Sequence, residues 1–492
     1  MGLLLLQTLL MAARFGTGHL ADAFLIAETV HFFFLGVLDQ NLSFILTPIF
    51  IEYREKGDHA RAWHVASTLL TACVLGLLAF VVLLFVFAPQ VVAALAPGLE
   101  RRALDVTILL TRILAPLSLL ILGNAFLSTL YFAHDRFRVP AWTTLIAAAG
   151  GPVALLLVRG PSAIYALAIG LLIGNAVSFL WLWASFPERR HLQWTLDLRD
   201  PAVRRLAKTA VPRALAVSMV QVNFMVDRFF ASFLGPGYIA ALYYGMKTVT
   251  TPVRLVVGPL GRALMPTLSR DAARQDHERI RKLLVTAPMA VAFVIVPAAT
   301  FLVAFRYDLL HLVFERQSFD AVSTRLTAVA LLFYSLGLVS YFLNPILTGT
   351  FFSFQDSRTP LRIAAFATLL NIPLDYLFMQ RLGHGGIALA TSLVVTINTF
   401  QLWRGVQKHV GVLEVLPVLR SIGGTLLAAG VMGLVCHLGA LMMPAERTTM
   451  VRLSYMGAAL AVGSIGYVGM QGVLNRPLLS RLAGSFSSRR FR

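Results

Sequence analysis

A basic stretch, KTVTTPVRLVVGPLGRAL at residues 247–264, lies inside an apolar run long enough to cross a bilayer. It contains three cations, Lys247, Arg254 and Arg262. On an α-helix these side chains fall within roughly an 80° arc and form one basic stripe. A charge at bilayer depth is costly, and Arg and Lys pair strongly with phosphate. The stripe therefore predicts a water-filled cationic cavity for an anionic substrate.

The position of each cation along this stretch suggests its role. Lys247 and Arg254 lie deepest, and the neighbouring Pro252 and Pro259 are typical of a kinked helix that lines a cavity. We interpret Lys247 and Arg254 as ligands for the substrate headgroup. Arg262 lies near the predicted cytoplasmic end, so it either joins them or extends to the membrane interface.

Other ionisable residues in apolar segments extend the candidate site. The remaining candidate substrate ligands are Arg14, Arg112 and Arg228, although Arg14 also fits an anchor at the outer face. The adjacent Asp227 and Arg228 also fit a structural pair. Acids within membrane segments are typical of ion or proton pathways. The candidates for such coupling are Glu28, Asp39, Asp227 and Asp375.

The composition defines the elements that must position these residues. Of 492 residues, 58% are hydrophobic and only 13% are charged, against about 25% charged in soluble domains. Apolar runs of membrane-spanning length recur from end to end. The net charge of +19 comes largely from short loops between these runs. We therefore predict an all-α polytopic membrane protein in contact with the lipid bilayer and without a nucleic-acid partner.

The apolar pattern predicts about fourteen transmembrane helices. They lie near 2–16, 24–50, 65–88, 104–132, 139–158, 163–186, 211–234, 238–268, 284–305, 324–353, 361–379, 385–403, 418–442 and 452–474. The loops on one side carry about three times as many Lys and Arg residues as those on the other. The positive-inside rule then places both termini and the loop 187–210 in the cytoplasm.

Two pairs of segments indicate an internal duplication. TPIFIEYREKGDH at 47–59 is similar to MPTLSRDAARQDH at 265–277, and FAHDRFRVPA at 132–141 is similar to FSFQDSRTPL at 352–361. Their nearly equal offsets predict two six-helix lobes, and repeats of this kind place a transporter's substrate site between the lobes. The predicted parts are an N-lobe at 1–186, an inter-lobe loop at 187–210, a C-lobe at 211–404, two further helices within 405–475 and a basic tail at 476–492.

The same offset places the start of the first helix several residues before Met1. That helix is short for a bilayer of about 30 Å and lacks a basic flank. We expect either upstream in-frame codons for apolar residues or a truncated helix.

The lack of familiar catalytic motifs favours a transporter over an enzyme. The sequence contains no HExxH, GxSxG, GxxxxGK[ST] or CxxC pattern. Cys73 and Cys436 lie in apolar segments, and His59 and His64 lack metal-ligand spacing. We therefore predict no cofactor, no metal and no catalytic residues. The enzyme alternative would require the charged residues of the predicted periplasmic loop 306–323.

Several motifs carry a family resemblance. FGTGHLADAFLIA at 15–27, ASFLGPGYIAALYYGMK at 231–247, LMPTLSR at 264–270 and GTFFSFQDSRTPLRIA at 349–364 resemble the MurJ (MviN) lipid II flippase family. This family belongs to the multidrug, oligosaccharidyl-lipid and polysaccharide exporter superfamily. The resemblance implies a bacterial inner-membrane flippase that moves an undecaprenyl-pyrophosphate-linked peptidoglycan precursor to the periplasmic leaflet. It also implies a groove for the lipid tail at the last two helices, and cell-wall synthesis proteins as partners.

The resemblance assigns some positions and departs from the family at others. Asp22 falls on the family's aspartate in the first periplasmic loop, and Lys247 falls on an arginine of the eighth helix. Met246 replaces the preceding acid, Leu35 replaces an arginine of the second helix, and Gln7 or nothing replaces the arginines of the first. Two alternatives remain open. One is export of another lipid-linked saccharide, and the other is drug/cation antiport, for which an acidic cavity would be expected.

Overall fold

The computed structural model describes residues 2–442, 444 and 448–475. Within them, side chains are described except at 32–41, 43–45, 207, 209–218, 220, 253–267 and 269. Among these residues the regular structure is helical throughout, and a 3-10 turn at Pro187–His191 precedes the eighth α-helix.

Seventeen α-helices follow one another within the described part of the chain. They are α1 (Gly2–Phe15), α2 (His19–Glu55), α3 (His59–Leu95), α4 (Arg101–Leu114), α5 (Leu117–Ala133), α6 (Arg138–Leu157), α7 (Ala163–Ala184), α8 (Pro201–Ser232), α9 (Tyr238–Ala273), α10 (His277–Ala304), α11 (Arg306–Phe314), α12 (Ala321–Leu336), α13 (Leu338–Ser353), α14 (Arg358–Leu382), α15 (His384–Val410), α16 (Val415–Leu441) and α17 (Thr449–Leu474). Each of the fourteen predicted helices coincides with one of these or with one interrupted pair.

Two predicted continuous helices are interrupted. The helix predicted at 104–132 stops at Ala115–Pro116, where proline removes a backbone donor and ends the regular ladder. The helix predicted at 324–353 bends by 49° at Gly337. A Cβ at Gly337 would lie 2.9 Å from the Cα of Ser392 in α15, so glycine permits the close approach of the two helices. Arg101–Ala133 still forms one apolar span of 33 residues, so the span predicted there is confirmed, and the structure adds the two interruptions.

The predicted loop 306–323 also needs correction, because it contains the short helix α11. Asp308 occupies the first turn of α11, and its carboxylate pairs with Arg452 of α17 at 2.7 Å. Both side chains are largely buried. A helix this short has too little hydrophobic pattern to be distinguished from a loop in an apolar sequence.

Several helices extend beyond their apolar segments because polar residues cap them. Asp58 accepts a hydrogen bond from the Arg61 backbone N–H at the start of α3, and Asp276 does the same for Arg279 at the start of α10, both at 3.1 Å. The equivalent contact at α8 joins Asp200 to the N–H of Ala202. Such caps satisfy donors that have no partner inside the helix.

The helices identify a membrane protein by length and composition. Within the described residues, nine helical spans are long and apolar enough to cross a bilayer, with α4 and α5 counted together as one, or ten if the bent pair α12–α13 also counts as one span. α1 is a shorter apolar helix. The apolar window of α3 is only 17% buried, and large side chains such as Leu83 and Phe87 are exposed on it. In lipid these side chains face hydrocarbon, so the chain is a multi-pass membrane protein.

The described chain forms two compact units. Unit 1 comprises the residues up to Ala240 together with Arg316–Asp320, and unit 2 comprises Ala241–Glu315 and the residues from Ala321 onward. The core of unit 1 contains an aromatic cluster between α2, α3, α5 and the end of α7. The core of unit 2 includes contacts of α10 with α16 and α17. The compact units are defined by which residues lie close together in space, and the lobes by the sequence repeat. The predicted limits of the lobes therefore stay a prediction.

Local geometry repeats in the two halves of the chain. In unit 1 the Asn124 amide donates to the Asn175 carbonyl at 3.1 Å, and in unit 2 the Asn344 amide donates to the side chain of Asn398 at 2.7 Å. These pairs join α5 to α7 and α13 to α15. They are separated along the chain by nearly the same offset as the repeated sequence segments, which supports the duplication.

Candidate functional site

Asp22 lies buried in the first turn of α2 and holds the beginning of α9. Its carboxylate accepts hydrogen bonds from the backbone N–H groups of Gly237 and Ala240, the latter at 2.7 Å. Gly237 has φ +90°, and a Cβ there would lie 2.2 Å from the carbonyl oxygen of Thr17. The predicted substrate ligand Asp22 therefore caps a helix whose first donors would otherwise be unsatisfied.

Arg228 lies half-buried on α8, close to Asp22. Its Nη1 donates a hydrogen bond to the Leu25 carbonyl of α2, and its guanidinium lies close enough to the Asp22 carboxylate for the two to interact electrostatically. The adjacent Asp227 is 4% exposed. Unit 1 thus brings Arg228 close to Asp22, although the two lie far apart along the chain. Glu28 lies half-buried further along α2.

Lys247 is the member of the basic stripe whose side chain the structure describes. It lies exposed on α9 in unit 2, with Nζ 5.1 Å from the centroid of the Tyr243 ring. This cation–π contact spans one helical turn and orients the ammonium group along the helix. The side chains of Arg254, Arg262 and Asp39 lie outside the described residues.

Asp375 is fully buried on α14 in unit 2. One of its carboxylate oxygens accepts a hydrogen bond from the Asn371 side chain at 2.8 Å, one turn earlier on the same helix. Burial of an acid in a membrane helix, next to an amide that can share a ligand, is typical of ion coupling. Asp375 thus has a polar neighbour on its own helix, and its role in ion coupling stays a prediction.

Arg112 and Arg14 lie at helix ends. Arg112 in α4 donates from Nε to the Phe85 carbonyl of α3 at 3.1 Å, and its guanidinium lies 5.4 Å from the centre of that ring. Phe85 is 54% exposed, so Arg112 lies near the outer apolar surface of unit 1. Arg14 occupies the last turn of α1, where a cation complements the negative end of a helix. Their roles as substrate ligands stay predictions.

The enzyme alternative rested on charged residues in 306–323. Two of its acids make contacts within unit 2. Asp308 pairs with Arg452, and Glu315 accepts a hydrogen bond from Thr324 at 2.7 Å and pairs with His311 at 3.0 Å. Burial tends to raise the pKa of Glu315, but these hydrogen bonds outweigh it and hold the pKa below its usual range.

The sequence interpretation missed a large cavity in unit 1, at the predicted cytoplasmic ends of its helices. Its volume is about 1180 Å³. It is lined by Phe50, Arg54, Asp58, His59, Ala60, Arg61, Ala62, Trp63, His64, Ser67, His134, Glu188, His191, Gln193, Thr195 and Asp200. The Trp63 ring stacks on His191 and His134, with centroids 5.4 and 6.1 Å apart. The histidines that line the cavity could have indicated a site in the sequence. They lie in separate segments of the chain, however, and do not have the spacing of a known motif.

Comparisons with known proteins agree on one family. The family model described as "Lipid II flippase MurJ" matches residues 11–456. A lipid II flippase MurJ of Burkholderia cenocepacia is 26% identical over 94% of this chain and 93% of its own length. A probable lipid II flippase MurJ of Synechocystis is 28% identical over 81% of this chain and 76% of its own length.

Solved structures show the same fold. A lipid II flippase MurJ in an inward closed conformation matches with a TM-score of 0.79 and 21% identity, over 97% of both chains. An inward-facing multidrug transporter of the MATE family, in the MOP superfamily, matches with a TM-score of 0.70 and 14% identity, over 83% of this chain and 94% of that one.

Proposed function

This chain belongs to the lipid II flippase MurJ family, and from that premise we propose that it moves lipid II from the cytoplasmic to the periplasmic leaflet by alternating access. Lipid II is an undecaprenyl-pyrophosphate-linked glycan and a precursor of peptidoglycan. The observation that carries the proposal is the family match across residues 11–456. Together with its bacterial relatives, the apolar helices make the chain a multi-pass bacterial membrane protein.

The headgroup site proposed here is the basic stripe of α9. Lys247 is exposed on that helix, and its ammonium lies over a tyrosine ring instead of being covered by apolar side chains. Pyrophosphate is the strongest anion of the substrate, and charge-assisted hydrogen bonds to it are about twice as strong as neutral ones. We propose Lys247 and Arg254 as its ligands, with Arg262 secondary.

The proposed orientation places both termini in the cytoplasm of the cell and the protein in the cytoplasmic (inner) membrane. The distribution of basic loops supports this orientation. Cell-wall synthesis proteins are proposed partners, since the product is consumed at the periplasmic face. α16 and α17 pack together and expose Leu434, Leu438 and Ile465, which suits a surface for the lipid tail.

Substitution of Lys247 and Arg254 tests the headgroup role. One charge-assisted contact contributes about 1.5–3 kcal/mol, so Lys247→Ala should lower substrate affinity by roughly ten- to a hundredfold. Lys247→Arg should retain most of the function because it keeps the charge. Flipping is measured as lipid II accessibility at the periplasmic side of cells depleted of their own flippase.

A charge-matched control is Lys282→Ala, since Lys282 is exposed and pairs with Glu278 one turn away. It should leave flipping unchanged. Normal flipping by the Lys247→Ala/Arg254→Ala double variant at equal membrane abundance would refute the headgroup role. Export of a different lipid-linked glycan, with no lipid II exposed, would instead favour the saccharide alternative.

Asp375→Asn tests the proposed ion or proton coupling. Asparagine has nearly the same shape and can still accept the hydrogen bond from Asn371, but it carries no charge. We expect flipping in the same cells to fall at least tenfold while membrane abundance stays close to that of the wild type. Full activity of Asp375→Asn would remove Asp375 from the coupling candidates and leave Glu28, Asp39 and Asp227.

A further inference from the structure

Three polar side chains converge beside the unit 1 cavity, and His64 and Asp200 among them line it. They are His64 of α3 and two aspartates, Asp197 and Asp200, from the segment that leads into α8. One ligand atom from each lies within 4.8 Å of the others. His64 Nε2 and Asp197 Oδ2 are 3.6 Å apart. Ligands about 2.0–2.2 Å from a tetrahedral metal lie roughly 3.3–3.6 Å from one another, so this pair already has the required separation.

We propose that His64, Asp197 and Asp200 bind a divalent transition-metal ion of the Zn²⁺ type. One imidazole nitrogen and two carboxylate oxygens form a ligand set that suits zinc, with a fourth position open to the cavity. Two carboxylates supply the negative charge that a dication needs. The proposal concerns a site separate from the basic stripe and does not depend on the flippase activity.

The backbone around the site is held in place. The Gln193 N–H donates to the Ser67 hydroxyl at 3.1 Å, so the segment before α8 lies along the first turns of α3. Asp200 uses Oδ1 to cap α8 through Ala202 at 2.7 Å, which directs Oδ2 toward the cavity. Asp197 is about half exposed; its Oδ1 accepts a hydrogen bond from the Arg199 N–H at 3.0 Å, and its Oδ2 is the oxygen that faces His64.

Arg61 is the competitor for this site. Its Nη2 lies 3.3 Å from Asp200 Oδ2, and its side chain is 43% exposed. An ion pair this exposed contributes only about 0–1 kcal/mol, and its guanidinium also lies 5.7 Å from the Tyr53 ring centroid, where it can remain after releasing the carboxylate. A metal with three protein ligands can therefore displace it.

The other histidines of the cavity are placed differently. His134 and His191 stack on Trp63, and His134 Nδ1 is also hydrogen-bonded to the Leu130 carbonyl.

The second copy of the repeat lacks the site, since Lys282 occupies the position equivalent to His64. A protonated lysine is no metal ligand. The metal would therefore fasten the segment before α8 to α3 in the first copy alone.

Zinc titration of the full-length protein tests the proposal. The protein is purified in detergent, stripped with a chelator and titrated with Zn²⁺ alone by calorimetry. We expect one ion per chain. Each of His64→Ala, Asp197→Asn and Asp200→Asn should weaken binding by at least ten- to a hundredfold, the cost seen even for residues one shell further out. Asp200→Asn keeps a side chain that caps helices well.

Control variants separate this site from general histidine binding. His59→Ala and Lys282→Ala should bind Zn²⁺ as the wild type does. Zn²⁺ should also slow proteolytic cleavage within 187–200 in the wild type but not in Asp197→Asn, whose exposed side chain makes misfolding a poor explanation. The proposal is overturned if no stoichiometric binding occurs, or if His64→Ala and Asp197→Asn both bind with unchanged affinity.

Discussion

Asp22 shows how one side chain can serve a helix that begins far later in the chain. Its carboxylate satisfies two backbone donors at the start of α9 and lies near the guanidinium of Arg228. The sequence predicted a substrate ligand here, whereas the observed contacts are those of a helix cap. Stability and transport measurements on the same variants can separate these roles.

Asp22→Ala should destabilise the protein by about 2–4 kcal/mol, because two buried N–H groups lose a charged acceptor. Asp22→Asn should have a smaller effect, since its amide oxygen still accepts one of the two bonds while its NH₂ group faces a donor. Thermal unfolding of the purified variants measures both. If Asp22→Ala abolished flipping with an unchanged unfolding temperature, the residue would be a substrate ligand and the cap would be secondary.

Residue types were predictable from the sequence, but their neighbours were not. Lys247 and Asp375 were identified because charge in an apolar run is costly and therefore informative. Asp197 and Asp200 were not identified, because their partner His64 lies far earlier in the chain and only the packing of α3 against the segment before α8 brings them together. The spacing of these residues along the chain does not predict such a contact.

At the scale of elements, two turns of the first half have the same left-handed backbone conformation as the equivalent turns of the second half. Gly57 has φ +78° and Gln275, at the equivalent position, has φ +55°. Asp135 and Gln355 form a second equivalent pair, with φ of 57° and 58°. The left-handed conformation is costly for residues with a side chain but not for glycine. Gln275, Asp135 and Gln355 therefore adopt it against their preference, whereas Gly57 adopts it without strain.

Exchanging the residues of the first pair should move stability in opposite directions. Gly57→Gln should lower the free energy of unfolding by about 0.5–1 kcal/mol, and Gln275→Gly should raise it by a similar amount, since the strain of the left-handed conformation exceeds the entropy that glycine adds to the unfolded chain. A Cβ at Gly57 would meet nothing within 4 Å, so packing does not interfere.

Chemical denaturation of the two single variants and the double variant measures these effects. Because the turns lie far apart in the sequence and share no partner among the described contacts, the changes should add, and the double variant should return close to the wild type. Shifts of the same sign in both single variants would show that a contact other than backbone strain determines stability at one of the turns.

The positions of the long helices were predictable because each membrane span needs a long apolar run. The residues at which the helices begin and end were less predictable. α2 was predicted to begin near 24 and end near 50 but spans His19–Glu55, and α3 begins at His59 instead of near 65. Capped polar turns continue a helix past its apolar part, whereas hydropathy reports only the part that lies in lipid.

At the scale of the whole molecule, the proposed orientation makes a direct prediction about α9. The helix is 36 residues long, or roughly 54 Å, and its two ends should lie on opposite sides of the membrane. In a Cys73→Ala/Cys436→Ala background, Pro236→Cys should react with an impermeant maleimide added outside the inner membrane. Arg274→Cys should react only after the membrane is opened.

Both positions are exposed, so neither substitution disturbs packing. Gly237 would be a poor labelling site because a side chain there meets the Thr17 backbone. Labelling of both cysteines from the same side would contradict the topology, and labelling from the opposite sides to those predicted would invert it.

The fourth predicted helix of each half is interrupted at nearly the same place. One half breaks this helix with Ala115–Pro116, which withholds a backbone donor, and the other with Gly337, which withholds a side chain. Two unrelated chemistries thus produce a break at nearly the same place in both copies. The interruption of this helix is therefore common to both halves, although the residues that produce it differ.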